Sequence, residues 1–162
     1  MTAAAVAARV TDPELPMLTL ADLGILRAVD ESGDGVVVTI TPTYSGCPAM
    51  RTIEDDLTGA LRDAGYPRVE VRTVLSPAWT TDWITPAGRD KLAAAGISPP
   101  GPAPRRAAGP VPLTLGPSRR AIACPQCGHA ETEEITAFSA TACRALRRCT
   151  ACGEPFEHVK EI

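Results

Sequence analysis

Four cysteines near the end of the chain are spaced for metal binding. "CPQCGH" and "CTACGE" place Cys124, Cys127, Cys149 and Cys152 in two matching Cys-x-x-Cys-Gly turns. Two residues between cysteines let a tight turn aim both thiolates at one ion, and the following glycine lets backbone amides approach the sulfurs without a Cβ in the way. Twenty-one residues separate the pairs, room for two or three short strands. A module of this size has too small a core to fold alone, so a bound ion contributing ~10 kcal/mol or more is its expected staple. Four thiolates select a structural zinc ion; a rubredoxin-like iron centre and two metal-free redox dithiols are the alternatives. With the tetrahedron complete, His129 and His158 are expected on the solvated surface without a role. Cys143, in "SATACRALRRC", is a spare thiol, either a small buried hydrophobe or a second reactive group.

Cys47 stands far upstream, in "TPTYSGCPAM". A helix starting at Pro48 would put it at or beside the N-cap, where free backbone N–H groups and the helix dipole favour a thiolate. The expectation is a thiol pKa below the usual ~8.5 and a nucleophile or metal ligand at neutral pH; plain packing at a turn is the alternative. One thiolate cannot hold a metal alone. Candidate helpers are Asp12 and Glu14 of "TDPELP", Asp22 of "ADLG", Thr43 and Ser45. Asp12 and Asp22 also fit ordinary turn or cap roles. Both histidines lie beyond residue 128, and no Ser-His-Asp set or phosphate-cradling glycine loop is present, which weakens metal-hydrolase and acid/base chemistry.

These residues need a frame. At 162 residues, 44% apolar and 22% charged, the chain has room for one modest domain and a mini-domain. Its longest apolar run, Ala3 to Ala8, is far short of the ~20 residues of a membrane span and lacks a signal peptide's basic lead. Cys-x-x-Cys pairs without an export signal indicate a reducing, cytoplasmic setting. Residues 1–97 carry 8 Lys/Arg against 13 Asp/Glu and residues 119–162 carry 6 of each, so nucleic acid is a poor partner. An alanine-rich start predicts a short helix. "LGILRAVD" and "VVVTITP", separated by "ESGDG", predict a hairpin. Apolar Met50, Ile53, Leu57, Ala60, Leu61 and Ala64 predict an amphipathic helix ended by Gly65. "VEVRTVL" predicts a third strand, and Thr85 with Pro86 opens a helix that Gly96 closes. The order α-β-β-α-β-α predicts an α+β sandwich over residues 1–97. Seven prolines in residues 98–119 predict a linker, and residues 120–162 a β-rich zinc ribbon.

"DPELPMLTLADLGILR" followed by "TPTYSGCPAM" resembles the small domain of SufT-like iron–sulfur assembly factors. "LSPAWTTDWITPAGRDKLAAAGISPP" and "FSATACRALRRCTACGEPFEHVKEI" narrow the likeness to PaaD-like accessory subunits of the multicomponent phenylacetyl-CoA epoxidase of aerobic phenylacetate degradation. The resemblance implies a maturation role rather than catalysis, with transient iron or an Fe–S cluster as cargo. Its implied partners are epoxidase components, first the [2Fe–2S] reductase and less so the di-iron oxygenase, together with the iron–sulfur assembly machinery. Carried over, the family motif places the cluster-handling cysteine at Cys47 and acidic positions at Asp12, Glu14 and Asp22. It places the ribbon ligands at the four cysteines above and a further thiol at Cys143. The family tail reads close to "FDYFKCI"; here it is "FEHVKEI", so Glu161 stands where that thiol would be. A non-catalytic scaffold and a thiol oxidoreductase are the rival readings. A homodimer pairing two Cys47 thiols is a further expectation.

Overall fold

The computed structural model describes residues 1–33, 35–103 and 121–162. The first unit follows the expected order: α1 (Ala3–Ala7), β1 (Leu26–Ser32), β2 (Gly35–Ile40), α2 (Met50–Asp63), β3 (Arg68–Thr73) and α3 (Pro86–Ala94). β1 and β2 form an antiparallel hairpin with Ser32 opposite Gly35, while β2 and β3 run parallel. Parallel neighbours need a crossover, and α2 supplies it. Strand β2 is therefore central, and its alternation is that of a half-buried strand: Val36, Val38 and Ile40 are buried. Ile53, Leu57 and Leu61 of α2 are fully buried in the same core, one face at helical spacing. Ala64, predicted on that face, is instead exposed as the helix C-cap, where the chain turns away through Gly65 at φ 97°. Helix α3 starts as predicted: the Thr85 hydroxyl accepts the Gly88 N–H at 3.0 Å, with proline in the first turn.

Two tryptophans lock the loop between β3 and α3 onto the "ADLG" turn. The buried Trp79 indole donates to the Leu23 carbonyl at 2.9 Å, and the Arg27 guanidinium lies 3.6 Å from the Trp83 ring centroid. Gly24 has φ 69°, and a Cβ there would lie 2.6 Å from the Trp83 Cβ. Only glycine meets both the conformation and the close approach.

The second unit is a three-stranded antiparallel sheet of β4 (Thr132–Thr136), β5 (Arg144–Cys149) and β6 (Pro155–Val159), in that order. It is not held at a distance. Val159 is buried within the core of the first unit, and the Thr81 N–H donates to the Ile162 carbonyl at 3.0 Å. The Ser98 N–H donates to the Glu157 carbonyl at 2.8 Å, and the Val159 N–H returns to the Ser98 carbonyl at 3.1 Å. Arg89 of α3 donates to the carbonyls of Pro100 and Thr81. Ser98, which composition assigns to the linker, thus pairs with β6, and the Gly101 and Ala103 N–H groups are held by the carboxylates of Glu161 and Asp82. Most of that proline-rich stretch, residues 104–119, lies outside the described residues.

Candidate metal centre and thiol site

The four ribbon cysteines converge. Cys124 and Cys127 come from the loop before β4; Cys149 ends β5, and Cys152 lies in the turn into β6. Both turns have the same build. The Gly128 N–H donates to the Cys124 carbonyl at 2.8 Å and the Gly153 N–H to the Cys149 carbonyl at 3.1 Å, with φ of 74° and 77° at the glycines. All four sulfurs lie within 4.8 Å of one another. A tetrahedral thiolate site with metal–sulfur bonds near 2.3 Å sets its sulfurs about 3.8 Å apart. The Cys124–Cys152 and Cys127–Cys149 sulfur separations are 3.8 and 3.5 Å, so the residues fit such an ion.

Their acidities are pulled apart. N–H groups of Cys152 and Ala151 point at the Cys149 sulfur and bring its pKa down to about 6 despite burial. Cys152 receives the Glu154 N–H, yet burial and the three neighbouring sulfurs push it up to about 12. Cys127 accepts the His129 N–H, but the Cys149 sulfur and burial carry its pKa upward. Four adjacent thiolates repel one another, and a dication removes the conflict. His129 is exposed, as expected. His158 is not: it is 3% exposed, its Nδ1 lies 3.3 Å from the Ser98 carbonyl, and its Nε2 lies 3.7 Å from Glu161 Oε1. The reason is that Ser98 pairs with His158 along the edge of β6 and covers it.

Cys47 lies in the loop between β2 and α2, half-buried against the first core. Two sequence expectations are corrected here. Helix α2 starts at Met50 with Ala49 as its N-cap, so Cys47 is two residues upstream. The thiol pKa is also raised rather than depressed. Burial is the largest cause; the Ala49 N–H works against it, and Glu14, Asp12 and Cys143 add to the rise. Acidic company and desolvation outweigh a single backbone donor.

Of the predicted helpers, Asp12 and Glu14 face Cys47 closely enough to act on it, and Thr43 and Ser45 share its loop. Asp12 is buried and shapes that neighbourhood, its Oδ1 accepting the N–H groups of Glu14 and Leu15 at 2.9 and 2.8 Å. Glu14 has its pKa raised by burial and by Asp12, against the pull of Arg144. Asp22 belongs elsewhere. It exchanges hydrogen bonds with Thr19 and pairs with Lys91 of α3 at 2.6 Å. Its carboxyl, despite burial, is held below the usual range by Lys91 and the Thr19 N–H.

Two residues near Cys47 escaped the sequence reading. Tyr44 has its hydroxyl pKa raised by burial and by the charges of Cys47, Cys143 and Glu14. Arg144 is buried and pairs with Glu157 at 2.6 Å. Tyr44 was visible in the loop motif; nothing in the order of residues joins Arg144 to Glu14.

This architecture defines a class: an α+β domain with a loop thiol, joined to a four-cysteine ribbon. The model of the family described as "Iron-sulfur cluster assembly protein" matches residues 5–75, and that described as "PaaD zinc beta ribbon domain" matches residues 108–160. An Escherichia coli protein named as a subunit of 1,2-phenylacetyl-CoA epoxidase is 44% identical over 98% of this chain and 90% of its own length. The chain belongs to the family of that epoxidase component, the PaaD family. The Fe-S protein maturation auxiliary factor YitW of Bacillus subtilis is 40% identical over 46% of this chain and 74% of its own. A crystal structure of a domain of unknown function from Bacillus anthracis covers 56% of this chain and 86% of that one, at 27% identity and a TM-score of 0.49.

Proposed function

We propose that the chain is a non-catalytic accessory factor of a phenylacetyl-CoA epoxidase system. In this reading it handles iron or an iron–sulfur cluster at Cys47 for a partner protein, the [2Fe–2S] reductase first. The observation that carries it is a half-buried thiol facing two acidic side chains in a domain of the iron–sulfur assembly type. Such a thiol rests protonated and unreactive. A soft cation arriving among Asp12 and Glu14 reverses that balance, because a metal-bound thiol ionises. Asp12 shapes the loop, and Glu14 offers a carboxylate beside the sulfur. The likeness to YitW, an Fe-S maturation factor by name, supports the cargo, and the likeness to an epoxidase component supports the setting. Cys124, Cys127, Cys149 and Cys152 would hold a zinc ion, which would supply the ribbon with a structural cross-link. Among the described residues no helix is long and apolar enough to cross a membrane.

Replacing Cys47→Ser tests the reading. Fold and ribbon zinc should be retained, while the reductase matured with this variant should carry far less cluster, measured as iron and sulfide per chain. Full cluster occupancy would sink the proposal. It would instead favour a scaffold role, to which the exposed Ile135 and Phe138 of the ribbon are suited.

A further inference from the structure

An open groove of about 720 Å³ lies between α1, the turn that follows it and α2, a volume within the range of sites that enclose a ligand or a few side chains. Half-buried Val6, Val10 and Ala60 give it an apolar floor, and the exposed Asp55, Asp56 and Asp63 line it with carboxylates. Asp55, Gly59 and Asp63 follow one another four apart along a single row of α2. The two outer carboxylates therefore stand about 12 Å apart along the helix. Among the described residues Arg9 is the one cationic side chain in the lining. Asp55 is paired with the exposed Arg51 at 3.7 Å, a weak contact in water, and among the described residues Asp56 and Asp63 have no ion pair.

Two members of the same row break the rules of a stable helix. Gly59 sits in the interior of α2, where only proline is less favourable than glycine. A Cβ there would meet nothing within 4 Å, so no described neighbour requires the glycine. Asp63 ends the helix, beside the partial negative charge that favours a cation. Both costs fall on the groove, and a local rule broken with no gain inside the fold points to a functional surface.

We infer that this groove docks an extended basic segment of a partner protein, in which two arginine or lysine side chains flank an apolar one. An extended chain rises about 3.3 Å per residue, so cations four positions apart match the spacing of Asp55 and Asp63. The apolar residue midway between them covers Val6 and Val10, and the missing side chain of Gly59 lets the partner's backbone come close. A cation on Asp63 also meets the end of the helix dipole with the sign it favours. The groove shares no residue with the Cys47 loop, so the inference goes beyond the proposed function and stands or falls without it.

The probe is a fluorescein-labelled peptide in which serine alternates with arginine, leucine and arginine, titrated by anisotropy into the untagged, zinc-loaded, full-length protein. Wild type should bind it, and binding should weaken as salt rises. Asp55→Asn combined with Asp63→Asn should weaken binding roughly two- to thirty-fold, the range that two exposed ion pairs span. Asp30→Asn combined with Asp90→Asn removes the same charge from exposed positions elsewhere and should leave binding unchanged. Gly59→Ala should raise the denaturant midpoint, because alanine favours the helix, and yet lower the affinity; a merely structural glycine would not link the two. Circular dichroism and zinc content check the fold of each variant, and Asp56→Asn replaces the aspartate pair if that pair fails the check. The docking groove is overturned by absent wild-type binding, by an equal loss in the Asp30 and Asp90 control, or by wild-type affinity in Gly59→Ala. Equal binding of a peptide with serine in place of leucine overturns it too, since charge would then suffice. Self-association that the peptide reverses would assign the groove to a second copy of the chain. Tighter peptide binding after Arg105→Ser and Arg106→Ser would assign it to the chain's own proline-rich stretch. Either result removes the partner.

Discussion

At the scale of single residues, the same side-chain type does different work according to what faces it. Cys149 receives two backbone N–H groups and has a pKa of about 6, while Cys152, among three sulfurs, is pushed to about 12. At pH 7 the metal-free ribbon therefore keeps protons on Cys152 and on Cys127, whose pKa is also raised. Loading zinc in weakly buffered solution at pH 7 should release roughly two protons or more per ion, since bound thiols must ionise. A pH-indicator titration that shows none would exclude a thiolate site. Asp12 and Asp22 differ in the same way. Asp12 spends one oxygen on two backbone amides beside Cys47; Asp22 is committed to Lys91 and Thr19. An acidic residue in a motif can thus hold the scaffold rather than the cargo.

Among elements, β2 and α2 carry the frame on which the Cys47 loop is hung. Leu57 is fully buried against the sheet, so Leu57→Ala should lower stability by about 2–5 kcal/mol. Measured by urea unfolding with the ribbon loaded, this loss should leave the zinc content of the folded protein unchanged, because the quartet draws nothing from α2. A loss below about 1 kcal/mol would mean that α2 packs otherwise. The helix pattern was legible because Ile53, Leu57 and Leu61 recur at its period. Its first turn was not. Pro48 is a plausible helix opener, yet the chain makes a separate turn, with the Met50 N–H on the Cys47 carbonyl at 3.4 Å, before α2 begins. That small shift separates Cys47 from the N-cap that would have lowered its pKa.

The whole molecule is two cores joined by β6. Val159 is buried in the first core, His158 faces Ser98, and Glu161 accepts the Gly101 N–H at 3.0 Å. Glu161 thus ties the start of the proline-rich stretch to the ribbon. Burial lowers the pKa of His158, against the raising effects of Glu161 and of its contact with Ser98; Arg147 adds to the fall. A histidine with a depressed folded pKa stabilises the fold above its unfolded value, near pH 6.5, because the unfolded chain binds the proton that the folded one excludes. Stability should therefore drop as pH falls below about 6.5. His158→Gln should flatten that part of the profile, read from denaturant midpoints between about pH 5 and 7.5. An unchanged slope would show that His158 does not carry it.

The sequence by itself determined what is written in local spacing. Repeated Cys-x-x-Cys-Gly turns specify a four-sulfur cluster, alternation specifies β2, and a helical stripe specifies α2. Each depends on residues close in the chain, whose geometry the backbone fixes. Only the tertiary structure decided what depends on burial and on neighbours distant in sequence. Desolvation and acidic company set the protonation of Cys47, Asp22 turned to α3, and His158 was drawn inside. Val159 joins a core otherwise built from residues 3–97 only because β6 docks on the first unit. No local pattern encodes that contact.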